Sequence, residues 1–266
     1  MTAGPVAFRP IAGGLVAALL AVGGCGGGDD RSGSTLTVLA ASSLTDVFGV
    51  LERRYESRHP NVDVQLSFDS SRTLAEQVVQ GAPADVLATA DRATMRVVVG
   101  EGLGSRPVVF ARNELVLVTP PDDPGNVDRI TDLDDGDVAY AVCVPEAPCG
   151  TASAVLLERS GVTAAPVTEE DSVRDTLGKV VAGEVDAGIV FVSDAQAVGR
   201  RVRVIPVAAG DNVRTPDLAV VLDDPDPDTD TETAQAWVDL LTSAAGQRAL
   251  LDHGFLPAPA AAERSP

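Results

Sequence analysis

Residues 35–60 read TLTVLAASSLTDVFGVLERRYESRHP, and this stretch sets how the rest of the chain is read. Thr35 to Ala41 is a short apolar run bounded by small and hydroxyl residues, the pattern of a buried strand. Leu44, Val47, Phe48, Leu51 and Tyr55 then fall on one stripe at helical spacing, with Ser43 or Thr45 placed to cap the helix start. His59-Pro60 ends the helix, because the residue before a proline is driven out of the helical region. A strand that turns through small residues directly into a helix predicts an α/β fold with parallel strands.

The same unit repeats downstream without a fixed period. Val62 to Phe68 alternates as a second strand, Thr73 to Gln80 is a helix closed by Gly81, Ala84 to Thr89 is a third strand, and Asp91 caps a helix running to Gly100. Further strands are expected at Asn113 to Thr119, Val138 to Val144, Ala187 to Val192, Val202 to Val207 and Asp217 to Leu222. Helices are expected after Cys149-Gly150, from Asp171 or Ser172, from Ser193, over Ala234 to Thr242 and over Gly246 to His253.

The ends read differently. Arg9 followed by the apolar run Ile11 to Val22 has the length of a signal-peptide core and is too short to span a bilayer. Gly23-Gly24-Cys25 resembles a bacterial lipobox, so residues 1–24 are expected to be a lipoprotein signal peptide and Cys25 the lipidated first residue of the mature chain. An ordinary secretory signal with an incidental cysteine is the alternative, and both export the chain. Residues 25–34 read as a flexible tether and residues 257–266 as a disordered tail. With Cys25 set aside, Cys143 and Cys149 remain; outside the cytoplasm a disulfide between them is expected, worth about 2 kcal/mol for so short a loop, with two free buried cysteines as the alternative. The formal net charge of −19 excludes the basic footprint of a nucleic-acid binder. Asp223 to Glu232 is densely acidic but lacks the glycine and glutamate spacing of a calcium-binding EF-hand, so it reads as a solvated linker.

Three strand-to-helix junctions carry the chemistry: Ala41-Ser42-Ser43-Leu44-Thr45, Asp69-Ser70-Ser71-Arg72-Thr73 and Thr89-Ala90-Asp91. Ligands of α/β sheets bind at such C-terminal strand edges, where helix N-termini present unpaired N–H groups and a partial positive charge. Small side chains let an anion reach the backbone and serine hydroxyls add donors, so an acidic chain can bind an anion through neutral dipoles.

At these residues a family becomes recognisable. Ala41 to Val47 (ASSLTDV) resembles the opening motif of periplasmic molybdate-binding proteins, the substrate-binding components of molybdate ABC transporters, as does Ser67 to Ala75 (SFDSSRTLA). Gly81-Ala82-Pro83-Ala84-Asp85-Val86 with Thr89-Ala90-Asp91, Asn113 to Val118, Asp171 to Arg174, Gly188 to Phe191, and Gly246-Gln247-Arg248 through Gly254-Phe255 continue the likeness in order. The resemblance implies an α/β, two-lobed periplasmic-binding-protein fold of type II with the ligand cleft between lobes. Residues 35–112 plus 216–256 would form lobe 1 and residues 113–215 lobe 2. By the same resemblance Ser43 and Ser71 would bind oxyanion oxygens by hydroxyl and N–H, and Ala90, Cys149 and Val173 would each give a backbone N–H. Phe191 stands where the family often has Tyr and offers position only, without a donor side chain. No catalytic residue, cofactor or direct metal ligand is implied, molybdenum entering only as the oxyanion. The expected partners are molybdate or tungstate, an ABC permease with its cytoplasmic ATPase, and the membrane through lipid on Cys25, with the protein a monomer on the extracytoplasmic face. A receptor for sulfate or phosphate is the alternative. An exported serine hydrolase is a remoter one, since His59 and His253 both lie away from the serine junctions and no Gly-x-Ser-x-Gly elbow surrounds Ser43 or Ser71.

Overall fold

The computed structural model describes residues 33–223 and 231–258; the signal peptide, Cys25, the tether up to residue 32, most of the acidic stretch and residues 259–266 lie outside the described residues. The opening stretch folds as β1 (Ser34–Ala41), a 3-10 turn at Ser42–Leu44 and α1 (Thr45–Glu56). The expected stripe is the face that packs: Leu44, Val47, Phe48, Leu51 and Tyr55 are all buried. Strand β2 (Val62–Asp69) then leads into α2 (Ser71–Val79), and β3 (Val86–Thr89) into α3 (Arg92–Gly100). Strands β1 and β2 pair in parallel, as do β1 and β3.

A long strand, β4 (Val108–Thr119), begins five residues before the expected Asn113. Beyond it come β5 (Tyr140–Cys143), α4 (Pro148–Ser160), β6 (Thr168–Glu170), α5 (Val173–Val181), β7 (Ala187–Phe191), α6 (Val192–Val198) and β8 (Arg203–Pro206). Strand β5 pairs in parallel with β6 and β7. The chain returns through β9 (Arg214–Val221) to α7 (Thr231–Thr242), α8 (Ala244–Asp252) and β10 (Leu256–Pro257). Pro257, expected to open the tail, instead pairs opposite Ala111 of β4. Its lack of an N–H is tolerated at the margin of a sheet.

The strand order is β2-β1-β3-β9-β4-β7-β5-β6. Parallel pairing therefore holds within two triplets, β2-β1-β3 and β7-β5-β6, and the two strands between them run antiparallel to their neighbours. Strand β4 changes partners along its length: Val108 to Glu114 pair with β9, whereas Leu115 to Val118 pair with β7. One strand thus belongs to both halves of the sheet, with its turnover between Glu114 and Leu115.

The core is mainly aliphatic, with Tyr140, Phe191 and Phe255 buried in it and four further aromatics gathered in one knot. Phe48 meets Trp237 edge-on at 5.6 Å between ring centroids, Tyr55 meets the same Trp237 at 5.6 Å, and Phe110 lies 6.1 Å from Phe48. Such pairs add to simple area burial and fix α1 and α7 on one face of β4. That packing holds the start of α1, and with it Ser43, in place.

Candidate functional site

Each parallel strand of both triplets that is followed directly by a helix or turn ends at the same place. Ala41, Ser42 and Ser43 line a small cavity at the end of β1; Ser70 and Ser71 reach it from the start of α2, and Ala90 from the end of β3. From the other triplet come Pro148 and Cys149 at the start of α4, Ser172 and Val173 at the start of α5, and Phe191 at the end of β7. All six positions expected to bind an oxyanion (Ser43, Ser71, Ala90, Cys149, Val173 and Phe191) are therefore lining residues of one cavity. Its volume is about 10 Å³, room for about one water molecule. That is far below the several hundred Å³ of an organic-ligand pocket. Every lining residue is buried.

Its polarity comes from dipoles. No Lys, Arg, His, Asp or Glu lines it among the described residues. The starts of α2, α4 and α5 each leave N–H groups without an intrahelical partner, and the helix dipole makes these ends partly positive. Cys149 is the second residue of α4 and Val173 the first of α5, so both N–H groups are of this kind. Ser172 caps α5: its hydroxyl accepts from the Asp175 N–H at 3.2 Å and donates to the Asp175 carboxylate at 2.7 Å.

The serines of the first triplet behave otherwise. Ser43, expected among the candidate caps of α1, makes no cap; its Oγ is buried without a hydrogen-bond partner among the described residues. The reason is the 3-10 turn, which places Leu44 at the helix start and turns Ser43 into the cavity. Ser70 Oγ is in the same state. The Ala90 N–H, expected to face the anion, donates instead to Ser71 Oγ at 3.0 Å. Ala90 therefore acts on the cavity through Ser71, whose own proton stays available and is polarised by the bond it accepts.

Cys143 and Cys149 form a disulfide, with Cα atoms 5.7 Å apart. It ties the end of β5 to the second residue of α4. Gly150 beside it is obligatory: a Cβ there would lie 1.9 Å from the Val144 carbonyl oxygen. The start of α4 is thus drawn against the strand end, which the sequence reading placed one turn later.

Two arginines flank the cavity, and both are committed to carboxylates. Arg174 of α5 pairs with Asp46 of α1 and, at 2.6 Å, with the fully buried Asp194 of α6. Arg72 of α2 pairs with Glu76 at 2.8 Å and approaches Asp171 at 4.0 Å. Both sets cross from one triplet to the other at the cavity rim. Burial pushes the Asp194 carboxyl up to about 7, against the lowering effect of Arg174. Asp217 of β9, opposite Ala111, is raised well above the usual carboxylate range, first by burial and then by Asp194.

The histidines take no part. His59 stacks on Tyr55 with ring centroids 4.2 Å apart, and His253 Nδ1 lies 2.7 Å from the Ala249 carbonyl oxygen. No base stands at either serine junction.

Residues 36–256 match the model of the bacterial extracellular solute-binding protein family. The chain belongs to that family. Its members bind solutes, and the chain is accordingly a binding protein and not an enzyme. Among the relatives of this solute-binding protein is the molybdate-binding protein of Mycobacterium tuberculosis, 36% identical over 255 residues, covering 91% of this chain and 96% of that one. The fold is shared with the periplasmic molybdate-binding protein of Azotobacter vinelandii, with a TM-score of 0.74 at 19% identity, covering 84% of this chain and all of that one. It is shared equally with the sulfate-binding protein of Mycobacterium tuberculosis, with a TM-score of 0.74 at 15% identity over 84% of this chain and 87% of that one. This solute-binding protein therefore has the two-lobed α/β fold expected, and the fold alone does not select the anion.

Five lining residues were not among the expected site residues: Ala41, Ser42, Ser70, Pro148 and Ser172. Ser70 had a visible signal, lying beside Ser71 at a strand-to-helix junction. Pro148 had one too, because proline favours the first helical position and places the start of α4 one residue before Cys149.

Proposed function

We propose that the protein captures molybdate, and tungstate with it, outside the cytoplasm and delivers it to an ABC importer. One observation carries the reading: a small buried cavity lined by serine hydroxyls and helix starts with no charged side chain. A desolvated oxyanion needs a donor on each oxygen, and fixed dipoles supply them without a neutralising cation. The likeness to the Mycobacterium tuberculosis molybdate-binding protein supports molybdate over sulfate as that oxyanion. Phosphate is disfavoured, because its proton finds no carboxylate in the lining to accept it. Surface acidity slows long-range encounter but is screened within about 10 Å at ordinary salt, so it leaves the closed site intact.

On this reading the chain crosses between lobes at about Asn113 and returns at about Thr215; the exchange of β4 from β9 to β7 after Glu114 supports the first crossing. The anion docks on the Ser43–Ser71 side, and rotation of the other lobe about β4 and β9 completes the shell and presents both lobe surfaces to the permease. Lipid on Cys25 holds the monomer at the membrane. No helix among the described residues is long and apolar enough to cross it.

A thermal-shift panel of molybdate, tungstate, sulfate and phosphate tests the reading. A true ligand at one hundred times its dissociation constant adds about 2.7 kcal/mol. Molybdate and tungstate are expected to raise the melting temperature most. If none of the four raises it, oxyanion capture is wrong; if sulfate alone does, the oxyanion is misidentified.

A further inference from the structure

We propose that Ser70 is a further anion-binding residue, donating its hydroxyl to an oxyanion oxygen in the cavity; this rests on the oxyanion reading above and extends it. Ser70 is the N-cap residue of α2, a position where a serine hydroxyl ordinarily accepts a hydrogen bond from the first helical turn. It makes no such bond. The other polar groups of the residue are engaged: its N–H donates to the Asp69 carboxylate at 2.6 Å, and its carbonyl accepts from the Leu74 N–H at 3.0 Å. Only the hydroxyl is left over, 4% exposed as a residue, without a partner among the described residues, and at the cavity wall.

A buried hydroxyl without a partner is unfavourable and is uncommon in folded proteins. A serine that gives up its cap to stand unpaired in a cavity is explained if an occupant of the cavity accepts its proton. Ser43 shows the same three properties: buried, unpartnered and lining the same wall. The two hydroxyls come from adjacent strand ends, since β1 and β2 pair with Ala41 opposite Asp69. Across the cavity, Phe191 brings no polar side-chain atom and the Ser172 hydroxyl is taken by Asp175. Hydroxyl donation to the occupant therefore falls to the first triplet, where Ser42, Ser43, Ser70 and Ser71 stand together.

The test is Ser70→Ala in the full mature chain, with molybdate as probe and calorimetry for affinity. Removing one hydrogen bond to a charged group is expected to weaken binding about tenfold to a hundredfold. The melting temperature of the ligand-free protein is expected to hold or rise, because no cap is lost and an unpaired hydroxyl is removed. A purely structural role gives the opposite pattern, a lower ligand-free melting temperature with affinity unchanged, and overturns the proposal. Wild-type binding matched within twofold by the variant also overturns it, while the oxyanion reading stands. Failure of the wild-type protein to bind any anion of the panel overturns both. Ser70→Gly removes the same hydroxyl at a position that favours glycine, and carries the test if the alanine variant folds poorly.

Discussion

On the wall built from β1, β2 and β3, the cavity is lined by four serines, Ser42, Ser43, Ser70 and Ser71. On the wall built from β5, β6 and β7 it meets Pro148, Cys149, Val173 and Phe191, whose side chains carry no free hydroxyl, so the main chain alone can donate. The contrast separates two ways of placing a dipole. A hydroxyl is set by a rotamer and can be removed by one substitution. A helix-start N–H is set by the path of the backbone, and only a change that moves the backbone removes it.

The largest expected effect lies on the backbone wall. Gly150→Ala forces the start of α4 away from Val144. Overpacking of this kind is expected to lower stability by about 3 kcal/mol and to abolish measurable binding, read by chemical denaturation and calorimetry together. Unchanged affinity would show that the start of α4 is not a donor. On the hydroxyl wall, Ser43→Ala removes one bond and leaves the backbone alone. Binding is expected to weaken by about 1.5–3 kcal/mol with stability of the ligand-free protein preserved.

The join between the walls gives a smaller effect, visible in pH dependence. Asp217 and Asp194 both have folded values raised above the ordinary 3.8. The fold therefore holds their protons more tightly than the unfolded chain does. The stability this confers is complete below 3.8 and is lost as pH rises through the folded values, about 7 for Asp194. Asp217→Asn is expected to flatten the fall in stability as pH rises above 3.8, measured by urea unfolding at each pH. The smallest effect is at the rim. Asp46 is 45% exposed and Arg174 26%, so their pair is worth only about 0–1 kcal/mol. Asp46→Asn is expected to raise the dissociation constant about twofold to fivefold at low salt, an effect that fades as salt is added.

The two walls were unequally legible in the sequence. Periodicity and small-residue junctions placed β1–α1, β2–α2 and β3–α3 within a few residues, because their apolar stripes are strong and Asp91 is a true cap, accepting from the Thr94 N–H at 2.8 Å. Resemblance supplied Cys149, Val173 and Phe191; nothing in their side chains marks a donor. Strand β6 was missed, since Thr168-Glu169-Glu170 is short and polar and becomes a strand only by pairing with β5. The beginning of β4 was missed because Val108 to Arg112 pair with β9, a partner distant in the chain. Ser43 was read from its position as a candidate cap and from the resemblance as an oxyanion donor, and Ser70 only as part of a junction. Whether a serine caps or turns inward is decided by the local turn, which composition does not reveal.

The burial of every lining residue has a consequence for timing. An anion held among walls this deeply buried would leave chiefly when they part. Its residence time is then the waiting time for an opening event, and anions that fit equally well share one off-rate whatever their chemistry. Discrimination among them appears in how often the walls close around each, and on the proposed reading a permease that prised them apart would set when the cargo is released.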